Sequence, residues 1–148
     1  HGHVKLTDRD RLAHDGVVAM KRFVIELSTE GAGEIVDLNP MIAQHAKDLA
    51  GEGLLHLFVP GSTAAITTIE YEPGLVKHDL PRLFGQLAPD NATYFHEQTW
   101  KDDNGHSHVL AAVFGPQLTV PFGKGRVLTG EWQQVVLIDF DTRPRRRR

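Results

Sequence analysis

The sequence predicts an α+β fold, a mostly antiparallel β-sandwich with two or three helices packed on it. Three observations point there. Short segments of strand-like patterning recur along the chain. Gly- and Pro-marked turns separate them, and helical spacing is confined to a few interposed stretches. There is no regular strand–helix–strand alternation and no Gly-rich dinucleotide fingerprint, which argues against a doubly wound parallel sheet. The 148 residues fit one domain with a sizeable core. Residues 1–19 read as an N-terminal leader, polar and weakly patterned, whose His-Gly-His opening has the look of an affinity-tag stub. Residues 20–148 read as the single domain.

The elements follow in order. In MKRFVIELS, Phe23, Ile25 and Leu27 alternate with Val24, Glu26 and Ser28, a half-buried strand. Gly31 and Gly33 mark a turn before a second strand, EIVDL. Asn39-Pro40 opens a helix, Asn as cap and Pro in the first turn. Ile42, Ala43, Ala46, Leu49 and Ala50 share its face, and Gly51 and Gly53 end it. LLHLFVP and AAITTIEYE are strands flanking Pro60-Gly61-Ser62-Thr63. From Pro73, the residues Leu75, Val76, Leu80, Leu83, Phe84 and Leu87 keep helical spacing. Pro81 kinks or restarts this helix, with Asp79 as a possible cap, and Pro89 closes it. Residues 90–104 form a long polar loop, then a short helix runs from Gly105 to Phe114. Two strands, QLTVPF and GEWQQVVLIDFD, end the domain, joined across Gly123-Lys124-Gly125.

Composition removes several classes of function. A hydrophobic share of 41% with 24% charged residues describes a globular chain. Sixteen basic against nineteen acidic residues give a net charge of −3, so the surface as a whole has no pull on nucleic acid. The Arg-rich tail reads as a frayed, solvated end. The absence of cysteine excludes disulfides, thiolate nucleophiles and Cys-ligated zinc. No apolar run reaches the roughly 18 residues of a membrane span. No signal-peptide pattern opens the chain, so the expected location is cytoplasmic.

The candidate chemistry lies in His78, His96 and His108, in or beside the long loop. Three histidines from separate elements can converge on one ion and leave a position open for water or substrate. Their irregular spacing matches no fixed metal motif, and surface or hydrogen-bonded core histidines give the same pattern. Glu70 can add an oxygen ligand or act as a general base. Gly61-Ser62-Thr63 offers N–H groups and hydroxyls to a phosphate, or is an ordinary turn. The start of the 105–114 helix, at Asn104 and Gly105, is a second anion site, or Asn104 is simply its cap. Trp132 can stack on a flat ring, although core packing is the favoured reading on a strand. Arg143 and Arg145 can neutralise a phosphate. His106 lies two residues from His108, on another side of the helix, and His45 and His56 read as structural.

The segments FVPGSTAAITTIEYEPGL, LAPDNATYFHE, DDNGHSH, LTVPFGKGRVLTGEWQ and FDTRPR resemble the YjbQ family, described as secondary thiamine-phosphate synthases. The resemblance spans Met20 to Arg145, and its most specific part is Gly-x-Trp-Gln preceded by VPFGKGR. It implies a β-sandwich with packed helices, a homotrimer, and sites at or near subunit boundaries. It makes His78, His96 and His108 the recurrent histidines, Glu70 the recurrent acid, and zinc or magnesium the candidate ion. It implies joining a hydroxymethylpyrimidine pyrophosphate to a thiazole phosphate with release of pyrophosphate, an activity held to be weak and incidental in the family. The alternatives are a trimer that binds a metabolite without turnover and a metal-dependent hydrolase using Glu70 as base. Two departures stand out. Many relatives have His-Thr-Thr in place of Gly61-Ser62-Thr63, and Asn in place of Ile69. Relatives also continue past Arg-Pro-Arg with a final strand, whereas this sequence stops at Arg148, so that strand is expected to be cut short or absent, which weakens the roles of Arg143 and Arg145.

Overall fold

A computed structural model describes residues 20–47 and 49–148; the leader lies outside them. The element order is β1 (Leu27–Thr29), β2 (Glu34–Asp37), α1 (Asn39–Ala46), β3 (Glu52–Phe58) and β4 (Ala64–Ile69). It continues through a π-helical turn (Leu75–Asp79), α2 (Leu80–Leu87), α3 (Phe95–Trp100) and α4 (Gly105–Phe114). It closes with β5 (Gln117–Gly123), β6 (Arg126–Val127), β7 (Gln134–Asp139) and β8 (Arg145–Arg147). The strands form sheets β2-β7-β4 and β3-β5-β6 and a ribbon β1-β8, and each pairing is antiparallel.

Strand β7 explains the layering. Successive side chains on a strand face opposite ways, and here both faces are covered. Val135 and Leu137 join Leu55, Leu57, Val120 and Phe122 in the core between the two sheets. Val136 and Ile138 join Phe84, Leu110 and Ala111 under the helices. The result is a two-sheet sandwich with α2 and α4 on one outer face, as the sequence pattern predicts, while α1 adds Ile42 and Ala46 to the core between the sheets. Phe84 anchors α2, with its ring edge-on to Phe140 at 5.0 Å and to Phe114 at 5.5 Å. Truncation to Ala removes both contacts and leaves a cavity, so Phe84→Ala is expected to cost about 3–5 kcal/mol. Urea denaturation checks this value; a loss under about 1 kcal/mol would mean the helix layer is not held by this ring.

Several expected boundaries move for local reasons. Residues 20–26 precede β1, which is only three residues long. Helix α1 ends at Ala46 with Lys47 as its cap, so Gly51 and Gly53 do not stop it; Gly53 lies inside β3. Asn39 is helical and does not cap. Asp37 Oδ1 accepts its N–H at 2.9 Å, which supplies the capping interaction. Strand β4 ends at Ile69, and Glu72 caps the next helix by accepting N–H groups from Gly74 and Leu75. Pro81 neither stops nor restarts that helix. The wider π turn, with Leu80 N–H donating to Leu75 O, precedes the proline and takes up the hydrogen bond it cannot make. Asp79 makes no side-chain cap bond. The long polar loop contains a short helix, α3. The two last expected strands do not pair. β5 pairs with β3 and folds back on β6, whereas β7 crosses to the other sheet.

The largest correction is at the Arg-rich tail. Residues 145–147 form β8, in register with β1, and Arg147 is buried. The buried carboxylates Asp139 and Asp141 are the cause: each needs a cation, and the tail supplies it.

Candidate functional site

At the Asp139 end of β7, four segments meet: the Gly61–Thr63 loop, the residues after α3, the start of α4, and the stretch leading to β8. Helix α4 begins where its sequence dictates. Gly105 is required there because a Cβ would run into Tyr94, 2.8 Å from Cγ. Ser107, fully buried, donates its hydroxyl to Phe140 O at 2.5 Å and ties the helix to the strand end. One residue on, His108 turns toward the loop.

His96 and His108 stand with ring centroids 4.3 Å apart. His96 Nε2 lies 3.3 Å from Asp102 Oδ1. Asn104, buried, holds that carboxylate from the other side, its amide nitrogen donating to both oxygens at 3.2 Å in its hydrogen-bonding orientation. Asn104 therefore does not cap α4, and its side chain makes no cap bond. Burial pushes the His108 pKa down, and the neighbouring His96 adds to this; Asp102, a hydrogen bond to the Ser62 backbone and Asp141 only partly compensate. His108 is thus unprotonated at neutral pH. A neutral imidazole carries one N–H donor and one acceptor nitrogen. Beside it is a recess of about 270 Å³ whose lining includes Gly61, Ser62, His108, Ala111 and Ala112. His108 supplies the imidazole of an otherwise small-residue pocket.

The loop itself is tied from below. Thr63 is buried; its hydroxyl donates to Asp141 Oδ2 at 2.9 Å and accepts from Arg147 Nη2 at 2.8 Å. That leaves Ser62, and not Thr63, as the hydroxyl facing outward. Arg145 Nε donates to Asp141 Oδ2 at 2.8 Å. Burial pushes the Asp141 pKa up, but the hydrogen bonds from Arg145 and Thr63 and the two guanidinium charges outweigh it and hold it below the usual carboxylate range. Its folded pKa being depressed, Asp141 contributes stability that is complete above its unfolded pKa, about 4, and is lost as pH falls below that. We expect the melting temperature of the wild type to fall more steeply below about pH 4 than that of Asp141→Asn. Parallel acid limbs would count against the assignment.

The remaining expected residues lie elsewhere. Glu70 is exposed just beyond β4, and Trp132 is 67% exposed before β7, which overturns the expectation of core packing. Ala64 pairs with Asp139 and Ile69 with Gln134, so Glu70 and Trp132 flank the opposite end of the sheet. At 3.2–3.4 Å per residue this is on the order of 20 Å from Ser62. His78 is exposed on the π-helical turn and lines neither recess described here. Arg143 is exposed and engaged with Asp103 Oδ1 at 3.3 Å. His45 stacks on Phe23 and His56 Nδ1 meets Thr119 Oγ1, as structural histidines do. The structure thus brings His96 and His108 together, with Ser62 lining the recess beside His108, and leaves Glu70 and Trp132 at the other end of the sheet. Two imidazoles fall short of the three protein donors that a catalytic zinc site takes. Among the described residues no group of three or more His, Asp or Glu side chains is arranged to hold an ion. The donors of a single chain therefore do not fit the expected metal.

Sequence reasoning missed Asp102, Asp141 and Arg147. Asp102 had a signal, as an acid six residues before His108 at the head of a helix. Arg147 had none, because the burial of Asp139, eight residues earlier, depends on strands far away in sequence.

A second recess, about 240 Å³, lies under α2 with Phe84, Leu110, Phe140, Asp90 and His106 in its lining. Among the described residues no helix is long and apolar enough to cross a membrane.

Comparison with known proteins agrees with this geometry. The family profile described as UPF0047 protein YjbQ-like matches residues 23–148. A UPF0047 protein of Methanocaldococcus jannaschii is 30% identical over 126 residues, covering 84% of this chain and 88% of that protein. The UPF0047 protein YjbQ of Escherichia coli O157:H7 is 39% identical over 85 residues, 57% of this chain; the match spans 61% of the relative's length. A crystal structure of a YbjQ-like protein of unknown function from Sulfolobus solfataricus P2 superposes with a TM-score of 0.74 at 27% identity, covering 83% of this chain and 89% of that one. The sandwich, its helix layer and the segment carrying His96, His108 and the β8 arginines all fall inside the matched region, and the chain belongs to the UPF0047 YjbQ-like family.

Proposed function

We propose that the His96–His108 recess is the reactive centre of a transferase for small phosphorylated heteroaromatic metabolites, with thiamine-phosphate formation as its specific reaction. The observation that supports this reading is the imidazole pair itself, one ring unprotonated through burial and the other paired with a carboxylate, beside a small-residue pocket. In this reaction the C–O bond of the pyrimidinylmethyl pyrophosphate breaks, pyrophosphate departs, and the thiazole nitrogen forms the new C–N bond. The pocket's alanines accept a flat ring. The free nitrogen of His108 accepts a hydrogen bond from the ring's amino group. His96, beside Asp102, is placed to hand a proton to the departing pyrophosphate.

The proposal includes self-association as a homotrimer. Glu70, His78 and Trp132 are exposed away from the pair, while Phe95 and Trp100, 83% and 70% exposed, flank it on α3. A second copy presenting its Glu70 end to the His108 end of the first would bring the two groups together. It would also supply the donors that zinc or magnesium lacks within one chain. Sedimentation equilibrium and elemental analysis test these two points, and a monomer free of metal would remove both.

The activity test incubates the purified chain, at a concentration near that of its substrates, with hydroxymethylpyrimidine pyrophosphate and thiazole phosphate. Thiamine phosphate and pyrophosphate in equal amounts are expected; their absence would overturn the reading. The second reading, binding without turnover, is favoured by the scarcity of polar side chains in the pocket. It would then show as thermal stabilisation by the ligand with no product. A hydrolase built on Glu70 is the weaker alternative, because Glu70 stands away from the recess, and loss of hydrolysis in Glu70→Gln would be needed to revive it.

A further inference from the structure

We infer that strand β8 is a working part of this site, with Arg147 acting as a positioning residue that sets His108 through Thr63 and the Gly61–Ser62 loop. The inference rests on the reading of the His108 recess as the reactive centre.

The bonds form a continuous relay. Arg147 is buried at 8% exposure and grips Asp139 with two nitrogens, Nε to Oδ2 at 2.7 Å and Nη2 to Oδ1 at 2.6 Å. That bidentate pair alone satisfies both charges. Nη2 nevertheless reaches further, to Thr63 Oγ1 at 2.8 Å. The same hydroxyl donates to Asp141 Oδ2, and the Thr63 carbonyl accepts from Phe140 N–H at 2.9 Å. Thr63 is therefore fixed by side chain and main chain together. Ser62, the residue before it, lines the same recess as His108. Gly61 lies over the guanidinium so closely that a Cβ would come 3.0 Å from Arg147 Nη1. Its φ of +124° is one that residues with side chains rarely adopt. The loop thus has Arg147 as its floor, and its Gly61 and Ser62 line a recess together with His108.

A planar guanidinium can serve Asp139 and Thr63 at once because its donors form a rigid fork. A lysine ammonium holds the charge but does not present that fork. Thr63→Val removes the relay hydroxyl and leaves the Arg147–Asp139 pair intact, whereas Thr63→Ser restores the hydroxyl.

The test is NMR on the full chain with labelled histidine, at one fixed pH, reading the His108 ring resonances and the ring-to-ring nuclear Overhauser effect with His96. We expect Thr63→Val and Arg147→Lys each to shift the His108 resonances and lose the effect to His96. Thr63→Ser is expected to keep both, and the signals of His45 and His56 to stay in place in all three. A folded Thr63→Val or Arg147→Lys with wild-type His108 signals would overturn the inference. The readout needs no turnover, so failure of the proposed reaction and failure of this relay are separately visible.

Discussion

Replacing Arg147 with methionine is expected to cost about 3–5 kcal/mol of folding stability. Asp139 is fully buried at 0% exposure, and in the variant its carboxyl group loses its bidentate partner. Thr29, which donates its hydroxyl to Asp139 from β1, cannot replace a guanidinium. The measurement is the urea midpoint with the slope checked for constancy, since a changed slope would report altered compactness instead. The double variant Asp139→Asn with Arg147→Met is expected to recover much of the loss, because no uncompensated charge remains. If the single variant loses less than about 1 kcal/mol, the pair behaves as a surface ion pair and β8 is peripheral.

Replacing His108 with alanine is expected to lower the proposed turnover by about 10²–10⁴-fold, the span that a positioned acid–base group contributes. His108 is partly exposed beside a recess, so its removal should leave stability within about 1 kcal/mol of wild type. His56→Ala is the control. It sits on the outward face of β3, bonded to Thr119, and its loss should leave turnover unchanged. Equal losses in the two variants would detach the activity from the recess. His96→Gln is expected to fall between them, since the amide can still meet Asp102 but carries no proton to transfer.

Much of the fold was legible because its signals are local. The apolar run of β7 and the helix bounded by Gly105 and Gly115 are written in consecutive residues. So is the turn at Gly123-Lys124-Gly125, which the structure uses between β5 and β6. What was not legible depends on distant partners. The tail looks like a solvated arginine run until Asp139 and Asp141 are known to be buried beneath it. Helix α3 is six residues long and amphipathic only weakly, too short for periodicity to reveal it. The π turn before Pro81 answers a missing hydrogen bond, and sequence marks only the proline. At the site, the structure brings two of the flagged histidines, His96 and His108, together. Grouping them with Glu70 and His78 assumed one converged cluster, whereas β4 holds its two ends on the order of 20 Å apart. Trp132 was assigned to the core by its neighbours on β7, but the strand starts two residues later, at Gln134.

The ribbon of β1 and β8 has a bearing on how the chain reaches this structure. Thr29 and Arg145, bonded side chain to main chain, are 116 residues apart, and β2 likewise waits for β7. Pairings of such separation close the largest loops and come late, which slows folding relative to helical domains of equal size. At synthesis rates of about 5–20 residues per second, β1 spends several seconds emerged without its partner. During that interval β1 and β2 are unpaired edges, and so are β3 and β4, whose partners β5 and β7 also follow later in the chain.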